Sequence, residues 1–341
     1  MKKGYKAYEK GLVCRGKQYK IGEIFEEEKA EICDIGMHYC ENPLDCLDHY
    51  SLIDNEGNIV EMTEVEDLDS ENRETDDNKK YCTKKLKIGA KLSLSEFIKA
   101  GFDFIYEKSG EMINSGDYSK LASSGYGSKL ASSGYGSKLA SSGYYSQLAS
   151  LGDCSKLASS GYYSQLASSG DYSKLASSGY YSKLASSGYG SKLASSGDYS
   201  KLASSGYGSK LASSGYGSKL ASSGYYSQLA SLGDCSKLAS SGYYSKLASS
   251  GDYSQLASSG DYSKLASSGG YSKLASSGYR SVIANIGFAG TAKASIGSWI
   301  TLAEHDETGV IRFVKTEQVD GKRIKADTWY QLVDGEFKEV R

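Results

Sequence analysis

Residues 125–133 have the sequence Gly-Tyr-Gly-Ser-Lys-Leu-Ala-Ser-Ser, one of eighteen consecutive nine-residue units that fill residues 116–277 without insertion or deletion. The consensus, numbered 1 to 9 from its glycine, is Gly-[Tyr/Asp/Gly]-[Tyr/Gly/Cys]-Ser-[Lys/Gln]-Leu-Ala-Ser-[Ser/Leu]. Strict periodicity of this kind is typical of stacked supersecondary units, each of which needs a neighbour to bury its apolar residue. The array therefore decides the architecture.

A helical array is excluded by the period. Nine residues of helix turn about 900°, which would place successive leucines on opposite sides, and a glycine would interrupt every copy. As a strand, the segment Ser-Lys-Leu-Ala-Ser alternates. Positions 4, 6 and 8 share one face, and positions 5 and 7 share the other. The flanking residues have turn chemistry, with glycine free to take positive φ.

One strand and one turn per unit predict a mainly β fold, a flattened β-solenoid with two units per coil. Leucines and small serines would fill a thin core between two parallel sheets, and nine coils would form a rod of about 43 Å. The alternative is disorder, because serine, glycine and lysine dominate and one leucine per unit makes a sparse core. Uninterrupted register and abundant tyrosine, whose rings can stack between coils, favour the solenoid.

The segment Gly125–Ala131, Gly-Tyr-Gly-Ser-Lys-Leu-Ala, resembles the Gly-Tyr-Gly-Ser-Thr-x-Thr core of bacterial ice-nucleation repeats, although those repeats have eight residues. The resemblance implies a β-solenoid with a tyrosine ladder that pairs molecules side by side. Ice binding itself needs paired Thr-x-Thr rows, and here Lys129 and Ala131 occupy those positions. Calcium-binding nonapeptide rolls need a mid-repeat aspartate, whereas aspartate in this array occurs only at position 2.

The array contains an internal duplication, because residues 116–164 are identical to residues 197–245. The shift of 81 residues is nine units, an odd number. In a solenoid with two units per coil, each motif is therefore transferred to the opposite side, and Cys154 and Cys235 are expected on different faces. The duplication predicts that the two faces are interchangeable in function.

Charge is segregated along the chain. Residues 1–115 have a balance of −8, the array one of +7 and residues 278–341 one of zero. Opposite charges of this size can attract the two parts to each other, within or between molecules. Seven cysteines in 341 residues do not resemble a disulfide framework. The N-terminus has no apolar signal segment and no apolar run reaches membrane-spanning length, so a cytoplasmic location is expected.

Three domains are predicted: an α+β head with an N-terminal cap (residues 1–108), the solenoid array (109–286) and a β-rich C-terminal cap (287–341). In the head, Ser93-Leu94-Ser95-Glu96 is a capping box that opens an amphipathic helix, which is expected to cover the open first coil. Further rungs are expected within residues 287–297. Trp299 and Trp329 are expected to anchor the C-terminal cap.

Two weak patterns in the head bear on chemistry. Cys33, His38, Cys40, Cys46 and His49 are metal-ligating types, but they lack a paired C-x-x-C, and buried thiols are the preferred interpretation. No metal or cofactor is therefore expected.

The segment Gly36–Cys40, followed by Tyr50 and preceded by Arg15, resembles the Gly-x-Tyr-Phe…Tyr strand of ADP-ribosyltransferases. No matching glutamate segment accompanies it. An enzymatic head on a passive stalk is accordingly the third choice.

The head more closely resembles the N-terminal domain of phage and bacterial hypothetical proteins of unknown function. The matching motifs are Gly-Tyr-Lys-Ala-Tyr (Gly4–Tyr8), Cys-Arg-Gly-Lys-Gln-Tyr (Cys14–Tyr19) and Gly-Met-His-Tyr-Cys-Glu-Asn-Pro-Leu-Asp (Gly36–Asp45). Such proteins often continue into nonapeptide repeats. The resemblance implies the domain order and a phage or prophage context, and it implies no activity.

The predicted function is a non-enzymatic, structural or interaction-mediating rod that associates through its tyrosines or its head, with a homo-oligomer or an unknown protein as partner. The alternative is a binder of nucleic acid or another polyanion through lysine rows; the competing interpretation of those rows is that they prevent aggregation of exposed sheets. No membrane partner is expected. The candidate interaction residues are Tyr126, Tyr135, Tyr144, Tyr162, Tyr180, Tyr189, Tyr207, Tyr216, Tyr225, Tyr243, Lys120, Lys129, Lys138, Lys156, Lys174, Lys183, Lys192 and Lys201.

Overall fold

The computed structural model describes residues 2–32, 34–50, 60–75, 79–108 and 113–340. In these ranges the array folds into a β-solenoid of about ten turns over residues 120–302. Successive units alternate between two parallel sheets, so each coil holds two units, as predicted. We call the two sheets the covered sheet and the open sheet.

The covered sheet contains thirteen strands among the described residues. They are β10 (Ile113–Asn114), β12 (Lys129–Ser132), β14 (Gln147–Ser150), β16 (Gln165–Ser168), β18 (Lys183–Ser186), β20 (Lys201–Ser204), β22 (Lys219–Ser222), β24 (Lys237–Ser240), β26 (Gln255–Ser258), β28 (Lys273–Ser276), β30 (Thr291–Ala294), β33 (Tyr330–Val333) and β34 (Glu336–Glu339).

The open sheet contains twelve strands in the same described ranges. They are β11 (Lys120–Ser123), β13 (Lys138–Ser141), β15 (Lys156–Ser159), β17 (Lys174–Ser177), β19 (Lys192–Ser195), β21 (Lys210–Ser213), β23 (Gln228–Ser231), β25 (Lys246–Ser249), β27 (Lys264–Ser267), β29 (Val282–Asn285), β31 (Trp299–His305) and β32 (Ile311–Gln318).

The core is a double row of leucines. Parallel pairing keeps equivalent positions in register, so that Leu130 lies beside Leu148 on one sheet and Leu121 beside Leu139 on the other. From Leu130 to Leu274 the position-6 leucines are buried in one continuous cluster. Leucine burial at every rung compensates for the low apolar content of the repeat, since each buried leucine stabilises by about 2 kcal/mol.

Serines at positions 4 and 8 fill the corners of the core and bond to each other. Ser159 Oγ donates to Ser164 Oγ at 2.7 Å, and Ser164 Oγ donates to the Gly161 carbonyl oxygen at 2.8 Å. The Gly161 N–H donates back to Ser159 Oγ at 3.2 Å. The same triangle recurs in most units, so most of these buried hydroxyls are satisfied. Among the described residues, the Oγ atoms of Ser186, Ser249 and Ser254 are buried without a hydrogen-bond partner. The predicted inward face of Ser, Leu and Ser is confirmed.

The turn glycine has a different role from the expected one. The residues with positive φ are at position 3, for example Gly127 at 67° and Tyr145 at 57°. At position 1 the glycines of successive coils stack, and a Cβ on Gly206 would overlap the carbonyl oxygen of Gly188. Position 1 therefore requires glycine because backbone approaches backbone there, and not because of its φ.

The position-2 aspartates connect neighbouring coils. Asp198 Oδ1 accepts a hydrogen bond of 2.8 Å from the backbone N–H of Tyr216, eighteen residues later. Carboxylate acceptors of this kind make stronger bonds than neutral ones. The same contact is made by all seven aspartates of the array, which are Asp117, Asp153, Asp171, Asp198, Asp234, Asp252 and Asp261.

The head contains a seven-stranded antiparallel sheet, within the described residues, in the order β4-β9-β6-β1-β5-β8-β7. A separate hairpin joins β2 to β3. The strands are β1 (Lys2–Tyr8), β2 (Val13–Cys14), β3 (Lys17–Gln18), β4 (Ile24–Glu26), β5 (Met37–Cys40), β6 (Glu61–Asp67), β7 (Glu74–Thr75), β8 (Lys80–Thr83) and β9 (Lys85–Leu92), and the helices are a 3₁₀ turn (Pro43–Asp45), α1 (Cys46–His49) and α2 (Leu94–Lys108).

The predicted capping box of α2 is formed. The Ser93 N–H donates to Glu96 Oε2 at 2.7 Å, and the Glu96 N–H donates to Ser93 Oγ at 3.3 Å. The predicted position of this helix is wrong. It contacts β12, β14 and β18, so it lies on the outer face of the covered sheet and not over the end of the first coil. The alanine row there is a flat apolar surface, and the helix buries Phe97 and Ile98 in the same cluster.

Beyond the repeats, β29, β30 and β31 continue the parallel stacking, and β32, β33 and β34 turn back in antiparallel pairs. The anchors of this end are Val319, Ile324, Tyr330 and Leu332, which join the leucine core. Trp299 was expected to be an anchor, but its side chain is 46% exposed. It falls at position 5 of its rung, which faces outward, and the alternation of the strand decides its orientation.

Candidate interaction surfaces

The ten predicted tyrosines divide equally between the two edges of the solenoid, where the turns lie. Tyr126, Tyr144, Tyr162, Tyr180 and Tyr216 precede strands of the covered sheet, on what we call the first edge. Tyr135, Tyr189, Tyr207, Tyr225 and Tyr243 precede strands of the open sheet, on the second edge. All ten side chains are exposed. The structure therefore separates them into two sets that face opposite directions.

The closest ring stacking involves the tyrosines of position 3, which are not among the candidate interaction residues predicted from the sequence. On the first edge the Tyr145 and Tyr163 rings lie 4.9 Å apart at 4°, and on the second edge Tyr226 and Tyr244 lie 5.0 Å apart at 6°. The left-handed backbone at position 3 sets these rings parallel to each other along the rod. A sequence signal existed, because position 3 holds only tyrosine, glycine or cysteine.

Each edge has one cysteine in its aromatic row. Cys154 lies on the second edge and Cys235 on the first, since their turns lead to β15 and β24. A hydrogen bond with the Cys154 side chain raises the pKa of Tyr135, and one with Cys235 raises that of Tyr216. The duplication thus places one thiol–tyrosine pair on each edge.

The eight predicted lysines are in two different environments. Lys120, Lys138, Lys156, Lys174 and Lys192 form an exposed row on the open sheet. Lys129, Lys183 and Lys201 lie on the covered sheet and are half-buried beside the head. Lys183 Nζ donates to the Leu47 carbonyl oxygen, and Lys129 Nζ lies 5.9 Å from the centre of the Phe104 ring.

The open sheet has a long groove of about 1260 Å³ on its outer face, lined by alanines and serines from residue 122 to residue 230 and closed by Leu232. These alanines are exposed, whereas the equivalent alanines of the covered sheet, from Ala131 to Ala239, are buried. The two faces therefore differ in their environment, whereas the duplication predicted that they are interchangeable in function. Identical sequences have different environments because the head packs on one sheet only.

Substitutions in the repeat mark the place where the head docks. Gln147 replaces the usual lysine and is buried, with Nε2 donating to Asp45 Oδ1 at 2.9 Å and Oε1 accepting from Asn42 Nδ2 at 3.2 Å. An amide can satisfy both partners without the cost of burying a charge. Leu151 replaces the usual serine and packs against the same apolar cluster as Leu47. The unit at residues 143–151 thus contacts the head through the two positions at which it differs from most other units.

A second groove, of about 730 Å³, lies where the head meets the first edge. It is lined by four lysines, five tyrosines and Phe104, together with Asp45, which is bonded to Gln147. The lysines are Lys79, Lys129, Lys183 and Lys201. This groove is cationic and aromatic, and it exists only because the head is docked.

The three sequence motifs of the head meet in one buried cluster. Lys6 Nζ donates to the His38 carbonyl oxygen at 2.9 Å and lies 3.5 Å from both Cys14 Sγ and the Tyr50 hydroxyl. It also lies 5.2 Å from the centre of the Tyr19 ring. Burial lowers the pKa of Lys6 and raises that of Tyr50. Lys6, Cys14, Tyr19 and His38 are buried and Tyr50 is half-buried, which favours a structural role for the cluster.

His38 gives the head a dependence on pH. Burial, together with the positive charges of Lys6 and Arg15, lowers the pKa of His38 to about 4. The unfolded chain therefore binds more protons between about pH 6.5 and pH 4, and stability is lost as the pH falls through that window. We expect up to about 3 kcal/mol of loss in the free energy of unfolding. Urea titrations at several pH values measure it.

The variant His38→Gln is the control for this prediction, because carboxylates also titrate at low pH. Its free energy of unfolding is expected to fall less between pH 6.5 and pH 4 than that of the unmodified chain. Equal slopes for the two proteins would contradict the assignment to His38.

The histidine and cysteine side chains that the sequence offers as metal ligands are not brought together around one point in the described part of the head. Within the described ranges, no three histidine, cysteine, aspartate or glutamate side chains are arranged to hold a metal ion. Cys33 lies outside those ranges. Cys14, Cys40, Cys46 and Cys82 are buried and form no disulfide with any described residue, and buried thiols were the preferred interpretation.

A known family covers most of the head. The matching stretch includes the buried motif cluster around Lys6, the docking residues of the head and α2 up to residue 100. Residues 2–100 match DUF7666, a domain of unknown function. No curated protein and no solved structure matches the chain. The DUF7666 match thus covers the head up to residue 100, and the solenoid begins at residue 120. Among the described residues, no helix has the length and apolar character needed to cross a membrane.

Proposed function

We propose that this protein is a non-enzymatic structural rod that associates side by side with further copies through its tyrosine edges. A repetitive β-solenoid joined to a domain of unknown function fits a structural, rod-like protein. The observation that carries the proposal is the pair of exposed tyrosine rows, one on each edge and both running along the rod. Aromatic side chains in regular rows supply large contact area at low entropic cost.

Edge association has a directional consequence. A rod with two different adhesive edges can bind a neighbour on each side. Contacts between the first edge of one rod and the second edge of another extend into an open assembly, whereas contacts between like edges close into pairs. We expect the mass of the unmodified chain to rise with concentration in sedimentation velocity experiments.

The triple variant Tyr226→Asn, Tyr244→Asn and Tyr262→Asn tests the second edge. Asparagine tolerates the left-handed backbone of position 3, so the coil is retained while three rings are lost. We expect weaker association by tenfold or more. Phenylalanine at the same positions keeps the rings and is the matched control, expected to associate normally. An unchanged oligomer size in the asparagine variant would count against edge pairing.

A second candidate function is polyanion binding, and the lysine row of the open sheet favours it. From Lys120 to Lys210 six consecutive rungs present one exposed lysine each. None of these six forms an ion pair with any residue that the structure describes. A row of unpaired cations along a groove attracts a polyanion such as single-stranded nucleic acid.

The test replaces Lys138, Lys156, Lys174 and Lys192 by glutamine, the residue that the array itself uses at position 5. Binding of single-stranded DNA at low salt is expected to weaken steeply. The slope of the logarithm of the binding constant against the logarithm of the salt concentration is expected to fall by the amount that about four phosphate contacts contribute. No binding by the unmodified chain at low salt would exclude this function.

The phage or prophage context and the absence of catalysis belong to the same proposal. They are supported by the resemblance of the head motifs to phage hypothetical proteins and by the closed packing of those motifs around Lys6. Incubation of the full chain with labelled NAD is expected to give no turnover and no transferred label. Transfer that depends on Tyr50 would favour the transferase resemblance.

A further inference from the structure

The open sheet carries a second copy of the surface on which the head docks. The internal duplication, with its shift of 81 residues, maps Gln147 onto Gln228 and Leu151 onto Leu232. Nine half-coils rotate this copy to the opposite sheet and move it about 22 Å along the rod. Glutamine at position 5 followed by leucine at position 9 occurs in these two units of the array and in no others.

The two copies differ in what covers them. Gln147 is buried against Asp45 and Asn42, and Leu151 packs against the head. Gln228 is exposed, and Leu232 is 70% exposed, at the end of the alanine groove. An exposed leucine on a floor of alanines and serines is an apolar contact without a partner among the described residues.

We propose that this patch, formed by Gln228, Ala230 and Leu232, is a docking site for the DUF7666 domain of a second copy of the chain. The occupant is inferred from the covered sheet, where the same residues already bind that domain. The charges agree, because residues 1–115 have a balance of −8 and the patch is flanked by Lys210 and Lys246. One docking position differs between the copies, since Lys246 corresponds to Gln165.

In this docking, a head exchanges the covered sheet of its own chain for the open sheet of a second chain. Each head has one surface for the array, so a head that binds a neighbour must first leave its own covered sheet. Exchange conserves the contacts and is therefore a low-cost route to assembly. The intramolecular site is favoured at low concentration, because its effective concentration is high. This inference shares with the proposed function the idea of self-association, but it uses the open sheet and not the tyrosine edges.

The test uses full-length chains and the matched pair of positions Ala149 and Ala230. Both side chains point away from the leucine core, Ala149 beneath the head and Ala230 into solvent. A donor chain carries Ala149→Glu, which places a charge under its own head and releases it, and Ala230→Glu, which disables its own second site. Small-angle scattering shows the release as a larger radius of gyration.

The donor is expected to form a one-to-one complex with the unmodified chain, measured by sedimentation, and to bind a chain carrying Ala230→Glu alone at least tenfold more weakly. No complex with the unmodified chain, or equal binding to both chains, would overturn the proposal. If Ala149→Glu does not fold or does not release the head, Ala167→Glu replaces it in the donor. Edge association is scored separately, since it appears in the unmodified chain without donor.

Discussion

Replacing Gly206 by alanine is expected to lower the free energy of unfolding by about 3 kcal/mol or more. The added Cβ would overlap the carbonyl oxygen of Gly188 in the preceding coil. Both atoms are tied to backbone that is hydrogen-bonded from coil to coil, so no side-chain rotation relieves the clash. Urea unfolding followed by circular dichroism measures the change.

Gly208 is the control, because it lies in the same turn at position 3. Its φ is 67° and a Cβ there would meet nothing within 4 Å. Gly208→Ala is therefore expected to lower the free energy of unfolding by only about 1 kcal/mol, the strain of an alanine in the left-handed conformation. A Gly206→Ala variant as stable as Gly208→Ala would contradict the stacking of position 1.

Replacing Leu202 by alanine is expected to lower the free energy of unfolding by about 2–5 kcal/mol, because the side chain is fully buried in the leucine row. The core has one leucine per unit and neighbouring serines cannot fill the cavity, so a value toward the upper end is expected. Thermal or urea unfolding measures it. The loss is local to a few coils, since the stability of a repeat protein is a sum over units and their interfaces.

The matched control is Leu232→Ala, the same chemical change at position 9. That side chain is exposed, so the stability of the isolated chain is expected to change by less than about 0.5 kcal/mol. Similar losses for Leu202 and Leu232 would contradict the inward orientation of position 6. The two variants also separate folding from docking, because Leu232 belongs to the proposed site of exchange.

Several local features could be predicted from residues alone because they repeat. Alternation of Ser-Lys-Leu-Ala-Ser gave the inward leucine row, and the nine-residue period gave two units per coil. The capping box at Ser93 gave the start of α2. The turn was placed correctly, but the role of its position-1 glycine was wrongly assigned to positive φ. That glycine is required by a contact between backbones eighteen residues apart, which is not visible within one unit.

The head was predicted less well. The strand Lys2–Tyr8 contains Lys6, a residue type that ordinarily indicates a surface, and it became central only because Cys14, Tyr19 and His38 come from distant segments to surround it. The tyrosines of position 3 were left out of the candidate interaction residues for a related reason, although that position holds only tyrosine, glycine or cysteine. Their stacking depends on a backbone conformation that the residue type does not reveal.

The sequence by itself determined the solenoid, since one leucine, two serines and one glycine in every nine residues leave a single way to bury the leucines and close the turns. Only the tertiary structure decided that the two sheets differ, because the head docks on one of them. Docking depends on Gln147 and Leu151 meeting Asp45 and Leu47 across about a hundred residues of chain, and no local pattern contains such a contact.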